Sequence, residues 1–187
     1  MNDGHGNFNP PGPVVTIRGE RIGLGPLQRV LIPALHRWFN NMATDRTQGD
    51  LPGPRTLERV TKWYEGRATD DDESVWFTIY ALERGEPIGI VWLSDIDYHH
   101  RTAGFGISIG EDTARGKGYG TETTRLIIEY AFTTLGLRTV QLEVYSNNLA
   151  GLHAYQKAGF RAVGRRRECY RLGAQVHDEI IMEAVAE

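Results

Sequence analysis

The chain has 187 residues, 40% of them hydrophobic, enough for one globular domain with a sizeable core. A formal net charge of −3 excludes a global basic field for nucleic acid, and a single cysteine, Cys169, excludes an internal disulfide or a four-cysteine zinc site. Cys169 is expected to be a buried, inert thiol. The sequence contains neither a signal-peptide core nor an apolar run long enough to span a membrane, and a reducing cytoplasm is the expected setting.

In chain order, residues 1–13 are rich in Gly, Pro and Asn and read as a flexible tail; residues 14–187 read as a single domain. "VVTIRGERIGL" predicts short strands around an Arg18–Gly19 turn. Leu27, Val30, Leu31, Ala34, Leu35 and Trp38 recur at helical spacing, with Pro33 tolerated in the first turn. Residues 40–56 are loop-like, and Thr56 can cap a helix carrying Leu57, Val60 and Tyr64. "VWFTIYALE" and "PIGIVWLSDI" form a β-branched and aromatic hairpin, followed by the strand "AGFGISI". A glycine segment then leads into a helix with Leu126, Ile127, Tyr130, Ala131 and Leu135 on one face, stopping near Gly136. "TVQLEVY" alternates as a strand, a short helix spans 149–158, and two closing strands near 160–170 and 176–184 flank a turn at "RLGAQ". The order is α+β, with mostly antiparallel strands and one strand–helix–strand unit.

The glycine segment "RGKGYG" (115–120) exposes backbone beside Arg115 and Lys117 at a helix start. Several N–H groups there can point at phosphate oxygens, with the helix dipole in support. It is not a Walker loop: that motif needs four residues before its Gly-Lys, whereas five separate Gly110 from Gly116, and Gly118 follows Lys117. Nor is it a dinucleotide fingerprint, because Gly116, Gly118 and Gly120 are spaced two and two. By itself the loop is equally a glycine-rich turn with two solvated cations.

Downstream, "SNNLAGLHAYQKAGF" follows the strand "TVQLEVY". Together with "GERIGLGPL", "HRWFNN", "GISIGEDTARGKGYGTE", "IIEYAF" and "RLGAQVHDEIIM", it resembles in order the GNAT superfamily of acetyl-CoA-dependent N-acetyltransferases. Within that superfamily it is most similar to the branch that holds the RimJ/RimL ribosomal-protein enzymes and many small-amine acetyltransferases. The resemblance covers residues 15–184. It implies a GNAT fold, a mixed sheet whose middle strands splay apart, flanked by helices. Acetyl-CoA is the implied cosubstrate, its diphosphate on the backbone of Arg115, Gly116, Lys117, Gly118, Tyr119 and Gly120. Ile107 and Ile109 would pair with pantetheine through their backbone while their side chains pack, and a bulge near the end of that strand would open the space. Asn148 would bond pantetheine or cap the next helix; Lys157 would reach the terminal phosphate or stay solvated. Tyr155 is the implied general acid for the leaving thiolate, against the plainer reading of a core tyrosine.

The base is open among Asp95, Asp97, His99, His100 and Glu143, the last alternating opposite apolar Leu142 and Val144. Some relatives carry a glutamate where this chain has Gly104. "DDDE" (70–73) and "RRR" (165–167) read as solvated runs, the former a possible attraction for a cationic amine, and Trp38, Trp63, Trp76 and Trp92 read as core. The resemblance implies an acyltransferase with no metal. Its acceptor is a small amine (polyamine, amino acid or amine-bearing antibiotic) or a protein N-terminus. A homodimer is compatible, and a non-catalytic acyl-CoA sensor is the rival. No nucleic-acid or membrane partner is expected.

Overall fold

The computed structural model describes residues 12–42, 53–69 and 72–187. Most of the expected tail, residues 43–52 of the expected loop, and Asp70 and Asp71 of the acidic run lie outside them. Among the described residues eight strands form one sheet in the order β1-β2-β3-β4-β5-β6-β8-β7. Their ranges are β1 Ile17–Arg18, β2 Ile22–Pro26, β3 Val75–Ala81, β4 Glu86–Asp97, β5 Thr102–Ile109, β6 Thr139–Tyr145, β7 Arg161–Leu172 and β8 Gln175–Val185. Among the described residues the longer helices are α1 Ile32–Phe39, α2 Leu57–Glu65, α3 Tyr119–Thr133 and α4 Leu149–Lys157. All neighbouring strands pair antiparallel except β5 and β6, which run parallel through the α3 crossover. This is the expected GNAT architecture.

The local chemistry explains the elements. Thr56 caps α2, its hydroxyl accepting from the Arg59 N–H at 3.2 Å. Pro33 sits in the first turn of α1, where a missing N–H leaves no helical carbonyl unpaired. In β6, Val140, Leu142 and Val144 are buried while Gln141 and Glu143 are exposed. The buried side packs against Ile127 and Ala131 of α3 in the main core. A smaller cluster joins Leu35 and Trp38 of α1 and Val60 and Tyr64 of α2 with Ile90 of β4. Each such fully buried Ile or Leu contributes about 1.5–3 kcal/mol.

Four details differ from the sequence reading. Val30 is not on a helical core face; it lies 75% exposed in a 3-10 turn that precedes α1. Cys169 is exposed, because β7 is an edge strand and few of its side chains are covered on either face. Of the four tryptophans only Trp38 is buried; the other three are half-buried in an aromatic row described below. The expected bulge is absent from the end of β5: the irregularity falls in β4 between Ser94 and Asp97, opposite the start of β5.

Candidate active site

β5 and β6 share only the register Thr102↔Thr139, Ala103↔Val140 and Gly104↔Gln141. Beyond that point β5 continues with β4 as far as Gly89↔Ile109, and β6 continues with β8 as far as Tyr145↔Glu179. Each strand follows its own antiparallel neighbour, so the two diverge into a V. The bulge in β4, with Asp95 at φ 50°, adds twist on one arm. The closed end is pinned by the Arg101 carbonyl, which accepts from the N–H groups of Arg138 (2.6 Å) and Thr139 (3.1 Å). Between the arms lies a cleft of about 610 Å³.

The glycine loop closes one end of this cleft. Gly116 (φ 71°) and Gly118 (φ 82°) adopt the left-handed conformation that disfavours any side chain, and Gly118 is the N-cap of α3 without a side-chain cap. The N–H groups of Tyr119, Gly120 and Thr121 therefore have no intrahelical acceptor. A Cβ at Gly116 or Gly120 would meet nothing within 4 Å, so the space beside this donor row is open. Such a row fits a diphosphate.

Sequence reasoning missed what holds the loop. Glu122, in the first turn of α3, accepts from Arg21 N (2.7 Å), Arg21 Nε (3.0 Å) and Ile22 N (3.3 Å). Arg21 in turn donates from Nη1 to the Lys117 carbonyl at 2.9 Å, and its guanidinium lies 5.3 Å from the Tyr119 ring centre. The brace neutralises the Glu122 charge beside the donor row and holds one loop carbonyl. Its partners stand 101 residues apart, a separation that one sequence cannot reveal.

The cleft collects most of the expected residues. Ile107, Ile109, Arg115, Gly116, Gly118, Tyr119 and Gly120 line it from β5 and the loop; Glu143, Asn148, Tyr155 and Lys157 line it from the other side. Lys117 does not line it; it lies exposed on the loop. Arg115 turns back on its own segment, donating from Nε to the Ile109 carbonyl (3.1 Å) and pairing with Asp112 (3.0 Å). Ile107 and Ile109 pack their side chains against the main core, which leaves the backbone as what they offer a ligand. Asn148 caps α4, accepting from the Gly151 N–H at 2.9 Å.

Tyr155 stands where the arms part. Its ring makes edge contacts with Phe105 (5.9 Å between centroids) and Phe160 (6.1 Å). Burial pushes its phenol up to about 12, so the hydroxyl keeps its proton at neutral pH. Of the proposed bases, Asp97 pairs with His100 at 2.7 Å in the turn after β4; the His100 N–H, then its ring, hold the carboxyl below the usual carboxylate range. Asp97, His99 and His100 line neither this cleft nor the cavity next to it. Glu143 does, but its Oε1 accepts from Arg166 at 3.1 Å. Arg166 also pairs with the buried Glu179 at 2.8 Å.

That neighbouring cavity, about 350 Å³, opens at the closed end of the V and is lined by Ser94, Asp95, Gly104 and Gln141 among others. It shares Phe105, Leu142 and Glu143 with the main cleft. Trp92 also lines the main cleft, stacked on Trp76 at 4.8 Å; Trp63 and Phe39 continue the row onto α2 and α1. Gly106 makes room for Trp92, since a Cβ there would lie 2.0 Å from the indole.

The chain is similar to known proteins in sequence and in fold. The Acetyltransferase (GNAT) domain model matches residues 21–161. Spermidine N(1)-acetyltransferase of Escherichia coli (strain K12) is 30% identical over 162 residues, 86% of this chain and 84% of that protein. The crystal structure of spermidine N-acetyltransferase from Vibrio cholerae in complex with CoA and spermine superposes with a TM-score of 0.80 at 25% identity, covering 88% of this chain and 95% of the other. A GNAT-family acetyltransferase from Bacillus anthracis, 17% identical, shares the fold with a TM-score of 0.77, covering 90% of this chain and 97% of the other. With the family model spanning well over half of the residues, the chain belongs to the GNAT acetyltransferase family.

Proposed function

We propose that this enzyme transfers an acetyl group from acetyl-CoA to a primary amine of a small cationic molecule, a polyamine first among them. The observation that carries the reading is the V between β5 and β6, with α3 donors at one end and the Tyr155 phenol where the arms part. Acetyl-CoA supplies the activated acetyl group. The α3 N-terminus and the Gly116–Gly118 backbone hold its diphosphate, and the β5 edge aligns pantetheine. Tyr155 keeps its proton until a thiolate leaves, then donates it. Rate comes mainly from alignment, with proton handling second.

The polyamine choice rests on the two spermidine acetyltransferase relatives. It is supported by the two carboxylates, Asp95 and Glu143, around the smaller cavity. Residues 14–187 act as the catalytic unit, in the RimJ/RimL-like branch that the ordered motifs suggest. A cytoplasmic setting, where acetyl-CoA is available, belongs to the same proposal. So does self-association to at least a homodimer, since one related structure is described as dodecameric; light scattering checks it. The functional test is thiol release from acetyl-CoA over polyamines, amino acids, aminoglycosides and peptides with free N-termini. Turnover with spermidine or spermine at least tenfold above the others is expected. Preference for peptides would move the assignment to protein N-termini, and no turnover with any amine would overturn it.

A further inference from the structure

Gly104 places a backbone without a side chain on β5, beside the point where the V opens. The space above it is not empty. A Cβ built there would lie 3.6 Å from the Asp95 carboxylate Oδ2 and 3.0 Å from the Ser94 hydroxyl. Asp95 arrives from β4 because the bulge between Ser94 and Asp97 turns it out of register, with the backbone at φ 50°. A left-handed aspartate inside a strand is strained and aims its side chain in a direction that regular pleating would not. The residue lines the smaller cavity, which meets the cleft at Phe105, Leu142 and Glu143. Among the described residues no ion pair engages Asp95, whereas Glu143 is tied to Arg166.

We infer that Asp95 is the carboxylate that receives the acceptor amine and takes its proton, directly or through one water. This rests on the acetyl-transfer reading above and names the group that reading lacks. At neutral pH a primary amine is an ammonium ion, and at pH 7.5 roughly one molecule in a thousand carries a free lone pair. The ammonium gives one proton to Asp95, and the lone pair so exposed forms the new C–N bond. The C–S bond breaks, its electron pair takes the Tyr155 hydroxyl proton, and Tyr155 recovers a proton from the amide nitrogen. Of three ammonium protons, one stays on the amide, one ends on the thiol, and one leaves through Asp95 to solvent.

The titratable or charged groups on the elements around Asp95 include Glu73, whose carbonyl accepts from Ile96, Glu86 at the far end of β4, Asp97 with His100, Tyr98, His99, Arg101, and Glu143 with Arg166. The test must separate Asp95 from these. Asp95→Asn is expected to lower turnover with spermidine about a hundredfold at pH 7.5. Coenzyme A affinity, measured by calorimetry, should stay at the wild-type value. The deficit should narrow at least tenfold as the pH approaches 10, where solvent supplies free amine. Adding Gly104→Glu to Asp95→Asn returns a carboxylate to the same space, where the flexible Ser94 hydroxyl is the nearest contact. That double variant should recover at least tenfold at pH 7.5, which a folding defect in the single variant would not allow. Turnover of Asp95→Asn within threefold of wild type, or a deficit equal at every pH, overturns the role of Asp95. A wild type silent with every amine overturns the acetyl-transfer reading itself.

Discussion

The arm of the V that meets the proposed donor is made of main chain, while the end that meets the proposed acceptor is made of side chains. At the donor end the parts are orphan helix N–H groups, two left-handed glycines and a strand edge, with Arg115 turned back onto the Ile109 carbonyl. At the acceptor end the parts are Asp95, Glu143 and the tryptophan row. Backbone recognition is rigid and fits a donor common to a whole family. Side chains can change one at a time without disturbing the sheet, so they can set which amine enters.

The contrast can be broken by substitution. The largest effect is expected where the two ends meet. Tyr155→Phe should cut turnover ten- to a thousandfold with coenzyme A affinity unchanged, read by steady-state kinetics and calorimetry. Because burial holds the phenol near 12, Tyr155 should impose no alkaline fall in rate below about pH 10. At the donor end, Gly118→Val forces a β-branched residue into φ 82° and should weaken coenzyme A binding about a hundredfold. Lys117→Ala, by contrast, should change the same calorimetric affinity less than threefold, since Lys117 does not line the cleft. A reversed order for these two variants would mean that charge, not backbone, holds the donor. At the acceptor end a small effect is expected for Glu143→Gln, whose half-exposed carboxylate already shares its charge with Arg166. Its amine KM should rise about threefold, with kcat and the acetyl-CoA KM unchanged.

How much was legible follows the same division. Features fixed by neighbours in sequence were readable. Thr56 and Asn148 cap their helices through bonds that span three residues, β6 alternates as read, and the glycine loop opens α3. Features fixed across the fold were not. Nothing near Arg21 shows that its partner is Glu122, and nothing near Asp95 shows that β4 slips its register beside Gly104. Cys169 misled because cysteine is by residue type usually a buried side chain, whereas here it falls on a bare edge strand. Val30 sits at helical spacing with Ala34, but the chain before Ile32 winds as a 3-10 turn and points it outward.

The Arg21 brace carries a thermodynamic consequence for a distant part of the molecule. It joins the first hairpin, β1–β2, to the loop at the head of α3, so ordering either should order the other. Coupling between two sites is reciprocal. A ligand seated on the α3 amides would therefore slow deuterium uptake at Arg21 and Ile22, residues outside the cleft lining.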